Sequence, residues 1–206
     1  QAVFLYLMQV QLLTDNQQRS RARQLLDEAI DSLPNQPELL YNRVLLLAPT
    51  ESSQAERDLT TLLSLEPDNP TYLNAYAYAL ANQNRNLEKA QRLASRADQL
   101  LPNQSAILDT LGLIALQQGR LSDAITVLDR AYKIDFKLNI GLRLAQALQQ
   151  DQREADYQQL LQELRQRYPN EPRLVVNPLS PRDDTRLSLP HHSTLLTGSK
   201  SMPDYS

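Results

Sequence analysis

The sequence contains no cysteine, and among its 206 residues there are only four glycines and two histidines. Without cysteine there are no disulfides, no thiolate nucleophile and no cysteine-based zinc site, while reducing and oxidising compartments both stay open. The histidines are His191 and His192, adjacent in a proline-rich stretch with Asp183 and Asp184 nearby. Neighbouring rings seldom aim at one metal, so no metal and no cofactor is expected. Glycine-rich phosphate loops, a Gly-x-Ser-x-Gly elbow and a His-Glu-x-x-His zinc motif are all missing. Paired acids such as Asp27 and Glu28 read as solubilising charge on a helix, not as an acid and base pair. The expectation is a chain without catalytic residues.

Charge of one sign is also missing. The formal net charge is -3, from 21 basic and 24 acidic residues interspersed along the chain. No electropositive stripe awaits a phosphate backbone, which argues against nucleic acid as a partner. No run approaches the ~18 apolar residues of a transmembrane helix. The chain opens at Gln1 and passes directly into Ala2–Met8 with no basic leader. That beginning resembles the inside of a helix, and the expectation is a longer protein cut here.

What is present is helical. Hydrophobic residues make up 41% of the chain, enough for a core. Leu, Ala, Gln, Arg, Asp and Glu dominate, the composition of an all-α protein. Prolines punctuate it at intervals of about 34 residues. Pro34, Pro67, Pro102 and Pro169 lie in Leu-Pro-Asn, Glu-Pro-Asp-Asn, Leu-Pro-Asn and Tyr-Pro-Asn, and Phe136 takes the corresponding place in Ile-Asp-Phe-Lys. Proline has no amide hydrogen and disfavours helix in the residue before it, so each one stops a helix. Ahead of each stop, small or apolar residues recur three and four apart: Ala22, Leu26, Ala29; Ala55, Leu59, Leu62; Ala90, Ala94, Ala97; Ala124, Leu128, Ala131. They share one helix face, and small residues let two helices approach closely. A period of this length is that of one helical hairpin per repeat.

The segment from Ser105 to Asp135 closely resembles the tetratricopeptide repeat, through Leu108, Leu111, Gly112, Ala115, Gly119, Ala124, Leu128 and Ala131 at the family's spacing. The preceding unit matches with one inserted residue, through Leu73, Tyr76, Ala77, Leu80, Ala90, Ala94 and Ala97. The flanking units depart from the pattern, with Arg43 in the glycine place of one and Tyr157 in the small-residue place of another. The resemblance covers residues 1–169 as about five hairpins: 1–35 (truncated), 36–69, 70–104, 105–137 and 138–169. It implies an α-solenoid, a right-handed superhelix of stacked hairpins. Residues 170–206, rich in Pro and Ser, are expected as an extended or disordered tail. The run 173–177 and the pair Leu195 and Leu196 are candidates to dock onto the helices.

Because the family mostly holds partners, the resemblance implies a non-catalytic protein- or peptide-binding scaffold working through its concave groove. The family's inward-facing places transfer onto Tyr41 and Val44; Asn74, Tyr78 and Asn82; Asp109, Thr110, Leu113 and Gln117; and Arg143, Gln146 and Gln150. Tyrosines offer contact area at little entropic loss, and amides can bond an extended peptide backbone. A subset of the family clamps chaperone C-termini with Lys, Asn and Arg. Only Arg143 falls on one of those places, and Leu40 or Asn74 and Val44 or Tyr78 occupy others, so that clamp is not expected. The alternatives are a self-association module, pairing through exposed hairpin ends around Phe4, Leu5 and Leu7 or through the tail, and a regulatory fragment of an upstream enzyme. Residues 72–125 also resemble the C-terminal repeats of long proteobacterial tetratricopeptide lipoproteins, which would imply a periplasmic or outer-membrane-anchored adaptor.

Overall fold

The computed structural model describes residues 1–47 and 51–174. Among these there are ten α-helices, a closing 3-10 turn and no strand. The all-α solenoid class is what the chain adopts. It divides into two compact units, the first built on residues 1–67 and the second beginning at Asp68.

The first unit holds α1 (Ala2–Asp15), α2 (Arg19–Ser32), α3 (Pro37–Leu46) and α4 (Ser52–Leu65). Each helix packs on its successor, and α1 also touches α3, so hairpins stack through their first helices. Ala22, Leu26 and Ala29 are fully buried among Leu7, Val10, Leu39 and Leu46. Arg19 of α2 donates to the carbonyls of Leu46 (3.1 Å) and Leu45 (3.4 Å), satisfying orphan acceptors where α3 ends and placing a cation at its negative pole.

The second unit holds α5 (Pro70–Asn82), α6 (Leu87–Leu100), α7 (Ser105–Gln117), α8 (Leu121–Ile134), α9 (Leu138–Gln150) and α10 (Glu154–Arg167). Here α5 packs on α7 and α7 on α9, again first helix on first helix. Ala90, Ala94, Ala97, Ala124, Leu128 and Ala131 have no exposed surface. Gly112 is required by contact, since a Cβ there would overlap the Leu128 side chain of the facing helix. Tyr157 fills the small-residue place of α10 and is buried with Leu160, Leu161 and Leu164 in the core shared by α7 to α10.

Helix starts and stops follow local chemistry. Pro37 and Pro70 stand in first turns, where a missing amide hydrogen costs nothing, and the Asn69 side chain accepts from the amides of Thr71 and Tyr72 (3.0 and 3.3 Å). The second helices end at non-helical residues just before proline: Leu33, Glu66, Leu101 and Tyr168. At Phe136 an aromatic cluster performs the stop. Its ring lies edge-on to Tyr132 at 5.4 Å and beneath the Arg167 guanidinium at 4.1 Å, and its carbonyl accepts from the Tyr168 hydroxyl.

After the last helix, Pro172–Leu174 forms the 3-10 turn and Leu174 is buried in the α7–α10 core, held by Arg165 donating to its carbonyl (3.0 Å). The start of the 173–177 run therefore packs on the helices at Leu174, whereas Arg173 is exposed. The rest of that run, Leu195 and Leu196, and the cluster of Asp183, Asp184, His191 and His192 lie outside the described residues. No helix among the described residues is long and apolar enough to cross a membrane.

Candidate functional site

In the second unit α5, α7 and α9 pack one on the next, and the residues predicted to line a groove on them divide by depth. Asn74, Tyr78, Asp109, Thr110, Leu113 and Arg143 are buried, as is Val44 in the first unit. Asn82 and Gln146 are half-buried, as is Tyr41 of the first unit, while Gln117 and Gln150 are exposed.

The buried polar members of the second unit meet. The Arg143 guanidinium of α9 donates to the Asp109 carboxylate of α7, with both side chains under a tenth exposed. Burial pulls the Arg143 pKa down, but the Asp109 charge and the Tyr78 hydroxyl more than offset it, leaving it above the ordinary arginine value. Three consecutive first helices are thus tied together by one charged contact and one phenol. Thr110 bonds within its own helix, to the Ala106 carbonyl at 3.0 Å. Asn74 keeps a buried carbonyl oxygen, Oδ1, without a hydrogen-bond partner. Since Arg143 already holds an internal carboxylate, its guanidinium is not offered to the carboxylate of a guest.

Among the predicted residues of the second unit, those that reach solvent are amides. Asn82, Gln117 and Gln150 occupy the same place in successive hairpins, and each is the last residue of its helix: α5, α7 and α9. An amide side chain can donate and accept at once, as a peptide group does. In the first unit, Tyr41 is half-exposed on α3, and burial pushes its phenol up to about 12.

One polar cluster was not anticipated from the sequence. Arg43, in the glycine place of its hairpin, makes a two-pronged contact with Asp58 (2.9 and 2.8 Å) and a third bond to Asp27 (2.8 Å). Arg23 extends the network to Asp27 (3.1 Å) and Glu51 (2.7 Å), and Gln54 donates to Asp58 (2.8 Å). These charges join α2, α3 and α4. The signal available beforehand was a cation at a close-contact place, which demands a buried carboxylate opposite. Among the described residues no group of acids or histidines could hold a metal ion.

Two-helix units packed first helix on first helix, small residues inside most hairpins and αL turns between helices define a tetratricopeptide-repeat solenoid fold. The chain is similar to known proteins of that fold. It is 37% identical over 131 residues to a TPR repeat-containing protein of Pseudomonas aeruginosa, a match covering 63% of this chain and 22% of the relative, so the chain spans about a fifth of that protein's length. In fold it is similar to a thermophilic TPR protein of Thermus thermophilus, with a TM-score of 0.72 at 20% identity over 84% of this chain and 94% of that one. It is likewise similar to PilF of Pseudomonas aeruginosa, with a TM-score of 0.66 at 20% identity over 80% and 76% of the two chains. No protein-family model matches the sequence. Solenoids of this class are commonly protein-interaction scaffolds and typically non-catalytic.

Proposed function

We propose that this chain is a non-catalytic scaffold that holds an extended segment of another protein across the inner helices of its second unit. The observation that supports the reading is the row of amides at Asn82, Gln117 and Gln150, repeated at the ends of three consecutive first helices and accessible to solvent. Each amide matches one peptide group, so the row suits a partner read through its backbone. Gln146 adds a fourth amide on α9. The buried set of Asn74, Tyr78, Asp109, Thr110, Leu113 and Arg143 acts beneath it, fixing the spacing of α5, α7 and α9 without touching the guest. Tyr41, over buried Val44, offers an aromatic contact on the first unit.

A displayed random-peptide library panned on the full chain tests this. Enriched peptides are expected to bind the parent chain and to lose about tenfold or more in affinity on combining Asn82→Ala, Gln117→Ala and Gln150→Ala, at unchanged helicity. Failure to enrich any peptide, or undiminished binding by the triple variant, overturns the reading.

A further inference from the structure

Beyond α10 a further hairpin begins and stops. Pro169 and Pro172 repeat the spacing of Pro34 with Pro37 and of Pro67 with Pro70, and Pro37 and Pro70 open the first helices α3 and α5. Two residues past the second proline a buried side chain stands each time: Leu39, Tyr72 and Leu174. Pro172–Leu174 is therefore the first turn of one more first helix. It is seated as one, with Arg173 donating to the Asn139 side chain at the start of α9 (3.4 Å) and Leu174 in the core. Pro178 falls in the second turn of such a helix and Pro181 in the third, where a missing amide and a ring clash break it. Among the described residues α9 accordingly has no first helix packed on it in turn. Asn74, Tyr78 and Ala81 of α5, which carries α7, are buried, as are Asp109, Leu113 and Leu116 of α7, which carries α9. Leu142, Gln146 and Gln149 hold the same places in α9; the first two are half-buried and the third is exposed.

We propose that residues 175–189 of this same chain cover that side of α9, as a non-helical strap that competes with a guest for the amide row. Continuity favours this occupant over any other, because Leu174 hands the chain on in the register of a first helix laid against α9. Reach is ample: 15 extended residues span about 50 Å, against about 20 Å for the length of α9 and about 10 Å more to α7. The chemistry of α9 changes to match. Leu142 keeps an apolar contact near the entry point, where the sequence supplies Val175, Val176 and Leu179. Further along, Leu113 and Leu116 of α7 give way to Gln146 and Gln149. A packed helix calls for apolar side chains at those places, whereas a non-helical segment brings backbone N–H and C=O groups that amides can satisfy. Tethered through Leu174, the strap meets α9 at an effective concentration on the order of millimolar, so a free guest has to displace it from Gln146 and Gln150. That consequence rests on the scaffold reading; the covering of α9 does not.

Two experiments on the full-length chain test the strap. The absence of native cysteine makes the first one clean: Leu142→Cys combined with Leu179→Cys should close an intramolecular disulfide at least about tenfold faster than Thr126→Cys combined with Leu179→Cys, Thr126 being exposed on the second helix α8. In the second, residues 175–189 are replaced by a Gly-Ser segment of equal length with Leu174 kept, and the peptide library is panned on both chains. Enriched peptides are expected to bind the replaced chain about tenfold more tightly than the parent. Equal closure rates for the two cysteine pairs overturn the strap. Equal peptide affinities overturn its competition with the guest and leave the scaffold reading standing. Enrichment on neither chain sinks the scaffold reading instead, and the disulfide rates then decide the strap alone.

Discussion

Gly112 and Arg43 occupy the same place in two hairpins, and opposite packing solutions keep them there. At Gly112 the facing helix brings Leu128 against the backbone, so Gly112→Ala is expected to cost about 1–3 kcal/mol by overpacking, read from a urea midpoint. Around Arg43 the facing helix supplies Asp58, whose side chain is 4% exposed and which receives two of the guanidinium's three bonds. Removing the cation leaves that carboxylate its bond from Gln54 but no counter-charge, so Arg43→Ala should lower stability by about 3 kcal/mol. Combining it with Asp58→Ala should cost less than the two single losses added together, because neither charge is then left alone; a double-mutant cycle in urea measures the difference. The Arg43 network was only half legible in advance, since nothing in the local pattern connects it to an acid fifteen residues on.

At the scale of the element, the turn inside four of the hairpins recurs with little regard for residue type. Gln17, Asn84, Gly119 and Gln152 all have positive φ, at 59°, 51°, 72° and 57°. In each case the next amide reaches back five residues: Gln18 to Leu13, Arg85 to Leu80, Arg120 to Ala115 and Arg153 to Leu148, at 2.8–2.9 Å. This is the Schellman closure, in which glycine avoids the penalty a Cβ incurs in the left-handed region. Only one of the four is glycine, which is how a helical-repeat chain has so few. Gln152→Gly should therefore raise stability by about 1 kcal/mol and Gly119→Ala lower it by a similar amount, both visible as shifts in thermal midpoint. The proline stops and alanine stripes were readable because they depend on backbone rules and on neighbours within one hairpin. The depth of Asp109 and Arg143 was not, because it is set by helices a full repeat apart. The extra residue between α5 and α6 is taken up by a second left-handed residue, Asn86, whose side chain accepts from the Lys89 amide at 3.4 Å.

For the molecule as a whole, each unit holds a phenol kept protonated far above its ordinary range. Burial pushes Tyr41 of the first unit up to about 12. In the second unit Tyr132 also stands at about 12, chiefly by burial and then by its hydrogen bond to Glu163 (3.1 Å), which ties α8 to α10. Both folded values exceed the unfolded phenol's value of about 10, so between pH 10 and 12 the unfolded chain has released protons the folded one retains. Stability from these groups is fully present below about pH 10 and is lost as pH rises towards 12. Tyrosinate absorbance of the native chain, which has nine tyrosines, should accordingly show Tyr41 and Tyr132 lagging the ordinary transition, joined by Tyr157, whose phenol burial also pushes up. Tyr132→Phe should remove one of them and lessen the alkaline fall in the second unit's stability, although loss of the Glu163 bond lowers its value at neutral pH. If alkaline titration shows no late phenols, or if Tyr132→Phe leaves the pH dependence unchanged, the burial of that ring between α8 and α10 is wrong.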